Sequence, residues 1–381
     1  MRKVIIGGEI YTPYEAISKQ DIVIEGDKIK EFTAEEVSGE KIDLSGYRIL
    51  PGLIDSHIHG ANRADMMDAT YKALNTISIY KAQQGVTSFL PTTVTAPIDK
   101  IKKALKNLKV GLEKGFGGAK PLGAYVEGPF LNPEKKGAQP KEHIQGFSQE
   151  ILEEIFAAGE GIIKTVALAP ERENNLEAVE YLWERGVNVA LAHTTASYEE
   201  VEKAVNKGSK ITTHMYNGMG SFHHRTPGLI GATLTDDRLK AEVICDGIHV
   251  SWPAVEMVLR CKKKEDMVLI TDAMRAVGLE DGEYDLGELK VSVTDGVARI
   301  KNGSLAGSTL HLIKAVENLV TELDVEFKTA VQMASANPAS LLGEKDLGEI
   351  APGKQADIIA IDGNYEVVFT MIDGEVVYNQ L

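Results

Sequence analysis

The middle of the chain alternates between compact apolar runs and longer segments of helical spacing. Eight runs stand out: Leu53-Ile54-Asp55, Val86 to Leu90, Leu122 to Val126, Ile163 to Ala169, Val187 to Ala192, Ile211 to Thr213, Ala241 to Cys245, and Met267 to Ile270. Between them, stretches such as Tyr71 to Gln84, Ile98 to Glu113 and Leu176 to Glu184 repeat apolar residues at the period of a helix with one buried face. That alternation predicts parallel strands joined by crossover helices. Eight such units over about 290 residues fit a (β/α)8 TIM barrel. The seventh and eighth units are less regular, and a hairpin-like insert, Leu289 to Ile300 with a turn at Asp295-Gly296, follows the eighth run.

The two ends read differently. Asp21 to Glu25, a Gly26-Asp27 turn, and Lys28 to Phe32 alternate apolar and polar residues as a hairpin does. Near the C-terminus, Ala356 to Ile361 precedes Asp362-Gly363, and Val367 to Ile372 precedes Asp373-Gly374. The expected organisation is therefore a small β-sandwich domain assembled from residues 1–52 and 348–381, around a catalytic barrel over residues 53–347. The terminal domain is expected to be scaffolding.

Charge narrows the partners. With 41 basic and 56 acidic residues in 381, the formal charge is −15, which repels phosphate backbones and anionic membranes. Neither nucleic acid nor a membrane is expected as a partner, and no apolar run approaches the roughly 18 residues that cross a bilayer. The apolar stretch after Met1-Arg2-Lys3 is too short for a signal peptide. Two cysteines, Cys245 and Cys261, support neither a disulfide framework nor a thiolate metal cluster, so the expected location is the cytoplasm. The lysines at 100, 102, 103, 106 and 109 fit a solvated helix face.

Barrel enzymes work at the C-terminal ends of their strands. Five of the nine histidines fall there: His57, His59, His193, His214 and His249. Residues two apart in a strand share a face, so His57 and His59 can enter the barrel mouth together. Glu127 ends the third run, where a carboxylate among buried apolar residues needs a partner. With His193 and His214 it offers two nitrogens and one oxygen, a set that suits zinc or ferrous iron. Asp272 closes the eighth run and can take a proton from an activated water, although Asp is also a common helix N-cap.

The stretch Pro51-Gly52-Leu53-Ile54-Asp55-Ser56-His57-Ile58-His59-Gly60 resembles the amidohydrolase superfamily. Glu127-Gly128-Pro129, His214 with Asn217 and Met219, Arg225 with Pro227-Gly228, Asp246-Gly247-Ile248-His249 and Leu305-Ala306-Gly307-Ser308 resemble, within it, the N-acetylglucosamine-6-phosphate deacetylase family. The resemblance spans essentially the whole chain. It implies a metal-dependent enzyme that removes the acetyl group of N-acetyl-D-glucosamine 6-phosphate, releasing glucosamine 6-phosphate and acetate. It implies one divalent ion on Glu127, His193 and His214. A second would sit on His57, His59 and Asp272 with Glu127 shared, giving one or two Zn2+ or Fe2+ per subunit. Asp272 is then the catalytic acid and base. Sugar phosphate is assigned to Arg225, His249 and the backbone at Asn217-Gly218, where the family often has Ala after the Asn. Gly307 and Ser308 join the substrate-binding set. Gln139, where some members carry a substrate-contacting histidine, or His143 four residues on, is expected to touch substrate. A homodimer is implied, with Arg225 reaching a neighbouring pocket.

Two other readings compete. Cyclic-amide hydrolases of the superfamily usually bridge two metals with a carboxylated lysine, but no lysine ends a central run here. A degenerate barrel acting as a sensor or scaffold typically loses metal ligands, and this chain keeps the full set. His223 and His224 could add local positive charge, and His311 falls at a helix start without an assigned role.

Overall fold

The structure, a computed structural model, describes residues 2–17 and 19–381. Eight strands run parallel in sequence order, each hydrogen-bonded to the next: β1 (Leu53–Ile58), β2 (Val86–Thr93), β3 (Ala124–Glu127), β4 (Ile163–Leu168), β5 (Asn188–Leu191), β6 (Ile211–Thr212), β7 (Lys240–Val243) and β8 (Met267–Leu269). Helices Tyr71–Gln83, Ile98–Lys114, Gln149–Ala158, Asn175–Glu184, Tyr198–Asn206, Gly228–Thr235 and Trp252–Cys261 cover the outside. Strands buried on both faces need no apolar–polar alternation, which is why they read as compact, largely apolar runs. Local chemistry sets the helix starts: Ser197 and Glu200 close a capping box on Tyr198–Asn206.

The seam between β8 and β1 closes just beyond the end of β8. Ile58 pairs with Ala273, the Asp272 N–H donates to the His57 carbonyl at 2.9 Å, and the His59 N–H donates to the Ala273 carbonyl at 2.9 Å. Asp55 locks that seam from within. Its carboxylate accepts from the Thr271 hydroxyl at 2.6 Å and backbone at 3.2 Å, and from Lys81 Nζ at 2.8 Å. The same hydrogen bonds that close the cylinder therefore bring His57, His59 and Asp272 to one rim.

The chain ends form two further sheets. A four-stranded sheet holds Arg2–Ile6, Asp21–Glu25, Lys28–Thr33 and Glu40–Asp43, and a six-stranded sheet includes Arg48–Pro51, Ile358–Ile361 and Val367–Ile372. Ile5, Ile22, Ile24 and Ile29 from the first share one buried cluster with Ile49, Ile358, Phe369 and Met371 from the second. Two sheets sharing one apolar core is the arrangement of a sandwich.

The insert after β8 has three strands, not two: Gly282–Leu286 pairs with Leu289–Thr294, which pairs with Val297–Ile300. Gly282-Glu283-Tyr284-Asp285-Leu286 carries too few apolar residues to announce itself as a strand. The helical lysines spend themselves on neighbouring acids, Lys100 on Glu288, Lys102 on Glu154 and Lys109 on Glu160.

His311 is the N-cap residue of the helix Leu312–Leu323. Burial, and then the charge of Lys81, push its imidazole down from 6.5 to about 4. The neutral ring is thus favoured in the fold. Its contribution is complete above the unfolded value and is lost as pH falls from 6.5 towards 4. Between pH 7 and pH 5 we expect His311→Asn to lose about 2 kcal/mol less stability than the parent chain. Urea unfolding at the two pH values reads this; equal losses would contradict it.

Candidate metal and substrate site

The strand ends gather six ionisable side chains at one place. His57 lies in β1 and His59 one residue past it; Glu127 ends β3; His193 and His214 follow β5 and β6 by two residues; Asp272 follows β8 by three. His193, His214 and Asp272 all take positive φ, at 45°, 30° and 50°. Such backbone is costly for residues other than glycine and persists only where the surroundings impose it. Here it turns each side chain off its strand and into the barrel mouth.

Glu127 is the centre. Its Oε1 lies 3.1 Å from His193 Nε2 and 3.2 Å from His214 Nε2. His59 Nε2 is 3.5 Å from Oε2, and His57 Nε2 is 4.0 Å from Oε1. Asp272 Oδ1 approaches His59 Nε2 at 3.1 Å and His57 Nε2 at 3.7 Å. Two trios, His57-His59-Glu127 and Glu127-His193-His214, place their ligand atoms within 4.8 Å of one another. Outer hydrogen bonds fix three of the four rings, because Nδ1 donates to a backbone carbonyl. His59 uses Thr92 at 3.1 Å, His193 uses Lys135 at 2.7 Å, and His214 uses Asn217 at 3.2 Å. Each such bond commits Nε2 to the cluster as a free donor pair.

The cluster fits a cation. Nε2 of His57 and Oδ1 of Asp272 are buried without a hydrogen-bond partner, a cost that an ion between them would relieve. Burial alone would raise the Glu127 carboxyl, but the His193, His214 and His57 rings gathered around it hold it well below its usual range. Burial also opposes a charged His57; Glu242, Glu127 and Asp272 outweigh it and lift the ring to about 9. Surplus negative potential of this kind is what a divalent ion would satisfy.

Other walls of the cavity, about 230 Å³, include Gly137, Gln139, Asn217, Gly218, His249, Leu286, Ser304, Leu305 and Gly307. His249 Nδ1 is held by Asp246 at 2.6 Å, leaving its other nitrogen for a ligand. Gly218 has φ of 63°, and a Cβ there would come within 2.7 Å of His193 Nδ1, so glycine fits this backbone beside the His193 ring.

Four expected substrate contacts need revision or an outside partner. Gln139 lines the cavity, yet both ends of its amide are occupied: it donates to Glu127 Oε2 at 2.6 Å and accepts from the Thr95 N–H at 2.8 Å. It orients the carboxylate. His143 does not line the cavity; it sits 3.7 Å from Glu288 at the tip of the insert, since the short helix Lys141–His143 carries it outward. Ser308 is turned away, its hydroxyl given to the Thr271 carbonyl, and only neighbouring Gly307 meets the cavity. Arg225 is exposed and bonded to His224 at 2.9 Å, outside this chain's own pocket.

Among the described residues no lysine ends a barrel strand or lines this cavity. Lys164, second in β4, and Lys240, first in β7, lie at the far end and pair with Glu344 and Asp266. A larger, shallower hollow of 560 Å³ beside Trp183 and Lys210 also lies at that far end, without a metal-ligating cluster among its described residues.

Residues 48–377 match the amidohydrolase family. The chain is 41% identical to an N-acetylglucosamine-6-phosphate deacetylase of Vibrio furnissii over 95% of this chain and 92% of that one. It is 42% identical to an N-acetylgalactosamine-6-phosphate deacetylase of Escherichia coli over 86% and 87%. Among solved structures, an N-acetylglucosamine-6-phosphate deacetylase of Thermotoga maritima superposes with a TM-score of 0.90 at 35% identity, covering 99% of both chains.

Proposed function

This chain belongs to the amidohydrolase family, and from that premise we propose that it hydrolyses the N-acetyl group of N-acetyl-D-glucosamine 6-phosphate to glucosamine 6-phosphate and acetate. The observation that carries the proposal is the convergence of four imidazole Nε2 atoms on Glu127, with Asp272 beside them, at the floor of a cavity walled by His249 and Gly218. The relatives named for this reaction add to it.

Glu127, His193 and His214 would hold one divalent ion, and His57, His59 and Asp272 a second with Glu127 shared; zinc and ferrous iron both suit these donors. When bound, such ions acidify water and polarise a carbonyl. The rest falls to the chain. Asp272 takes the proton of the attacking water and passes it to the amide nitrogen, so that an amine departs instead of an amide anion. Gln139 holds Glu127 in register. The sugar phosphate is held by His249 and the backbone N–H at Gly218, and its binding energy orients the distant acetyl group.

Arg225 completes the phosphate site from a second subunit of a homodimer. Its exposure away from its own pocket supports this, as do the exposed apolar residues Phe222, Ile248 and Met257 on the same loops and the helix that follows. The protein works in the cytoplasm, a reading that two free cysteines support.

Acetate release tests the reading. We expect kcat/KM for N-acetylglucosamine 6-phosphate to exceed that for the unphosphorylated sugar by about 100-fold or more, since a lost charged contact of a few kcal/mol is worth that much. Faster turnover of the galactosamine epimer would move the assignment to that sugar. Equal rates with and without phosphate would remove the phosphate site.

A further inference from the structure

A carboxylate inside the barrel has no place in the chemistry described so far. Glu242 sits in β7, between Ala241 and Val243, and is 1% exposed. Its Oε1 accepts a long 3.4 Å bond from the Ser56 hydroxyl. Its Oε2 has no hydrogen-bond partner and lies 3.8 Å from His57 Nδ1. Among the described residues no lysine or arginine lies within salt-bridge distance of it. A carboxylate so buried costs several kcal/mol unless something compensates, and the group it faces is His57.

His57 differs from its three companions in the same respect. His59, His193 and His214 each give Nδ1 to a backbone carbonyl. His57 has no carbonyl partner at Nδ1; Tyr125 packs against its ring with centroids 4.5 Å apart, and the tyrosine hydroxyl is engaged with Thr213 at 2.7 Å. A neutral imidazole that turns Nε2 to an ion carries its proton on Nδ1, and that proton needs an acceptor. The one at hand is Glu242, a small side-chain rotation short of hydrogen-bond length.

We infer that Glu242 is a positioning residue for His57: it accepts the Nδ1 proton, fixes the ring with Nε2 towards the ion, and strengthens this one ligand through its charge. Three ligands are oriented by neutral carbonyls and the fourth by an anion, so the two ion sites are unequal by construction. The His57-His59 site depends on Glu242; the Glu127-His193-His214 site does not. The inference rests on the two-ion reading above.

Titration of the metal-stripped full chain with Zn2+ against a fluorescent chelator tests it, with His57→Gln identifying which binding step belongs to the His57 site. In Glu242→Leu that step should weaken by about 10- to 100-fold, while the other step stays within about threefold. Glu242→Gln, which keeps the size and an acceptor oxygen, should recover part of the loss. Wild-type affinity at the His57 step in both variants, or equal losses at both steps, would overturn the inference while leaving the two-ion reading in place. A parent chain that binds a single ion would overturn both.

Discussion

Asp272→Asn should leave a folded, metal-loaded protein whose kcat has fallen by roughly 10³- to 10⁴-fold. The asparagine keeps the shape and one oxygen at the position 3.1 Å from His59 Nε2, so the ions have reason to stay. What disappears is a group able to accept a proton. Asp272 is asked to move that proton twice, from water and then to the departing nitrogen, and general acid–base catalysis is commonly worth about 10²- to 10⁴-fold. The contacts of His59 and His57 hold the Asp272 carboxyl below its usual value against the opposing effect of burial, so it starts each cycle as the base. Metal content and turnover measured on the same sample decide the matter. Turnover within tenfold of the parent would remove Asp272 from the proton path.

Glu127→Gln should act one step earlier, on the ions themselves. All four imidazoles approach this single carboxylate, and it is the member common to both ligand trios. Its amide substitute brings no charge to offset a divalent ion in a buried site. Metal content should fall at both sites. Turnover should drop by about 10³-fold or more, equivalent to about 4 kcal/mol of lost stabilisation. Metal analysis after dialysis against a weak chelator is the check. Full retention of both ions would mean that the shared-carboxylate geometry is not what holds them.

Much of this site was legible in the sequence because a barrel puts its chemistry at one predictable edge. Histidines that follow apolar runs must lie near that edge, and a glutamate such as Glu127 at the end of a buried strand has few ways to be tolerated. The parallel barrel and the flanking β sheets followed from compact, largely apolar runs in the middle and alternation at the ends. The rest depends on contacts between segments far apart in the chain. Nothing local tells that His193, His214 and Asp272 adopt left-handed backbone, since none is glycine. Spacing alone suggested His143 for the substrate, whereas a short helix carries it out to Glu288. Gln139 was legible as a member of the site but not as the brace of Glu127, which needs Thr95 on the other side. Glu242 did leave a signal: one charge inside Ala241-Glu242-Val243-Ile244-Cys245, the apolar run of a strand buried on both faces. Its partner His57 is 185 positions away, and only the closed barrel brings them together.

The central claim, that ions in the Glu127 cluster drive deacetylation, has one direct measurement. Strip the protein of metal, add Zn2+ or Fe2+ back in steps, and follow acetate released from N-acetylglucosamine 6-phosphate against ions bound per chain. Acetate should be undetectable at first and rise with occupancy, one amine appearing for each acetate. Release that is undiminished in the stripped protein, or none from the fully loaded one, would contradict the account.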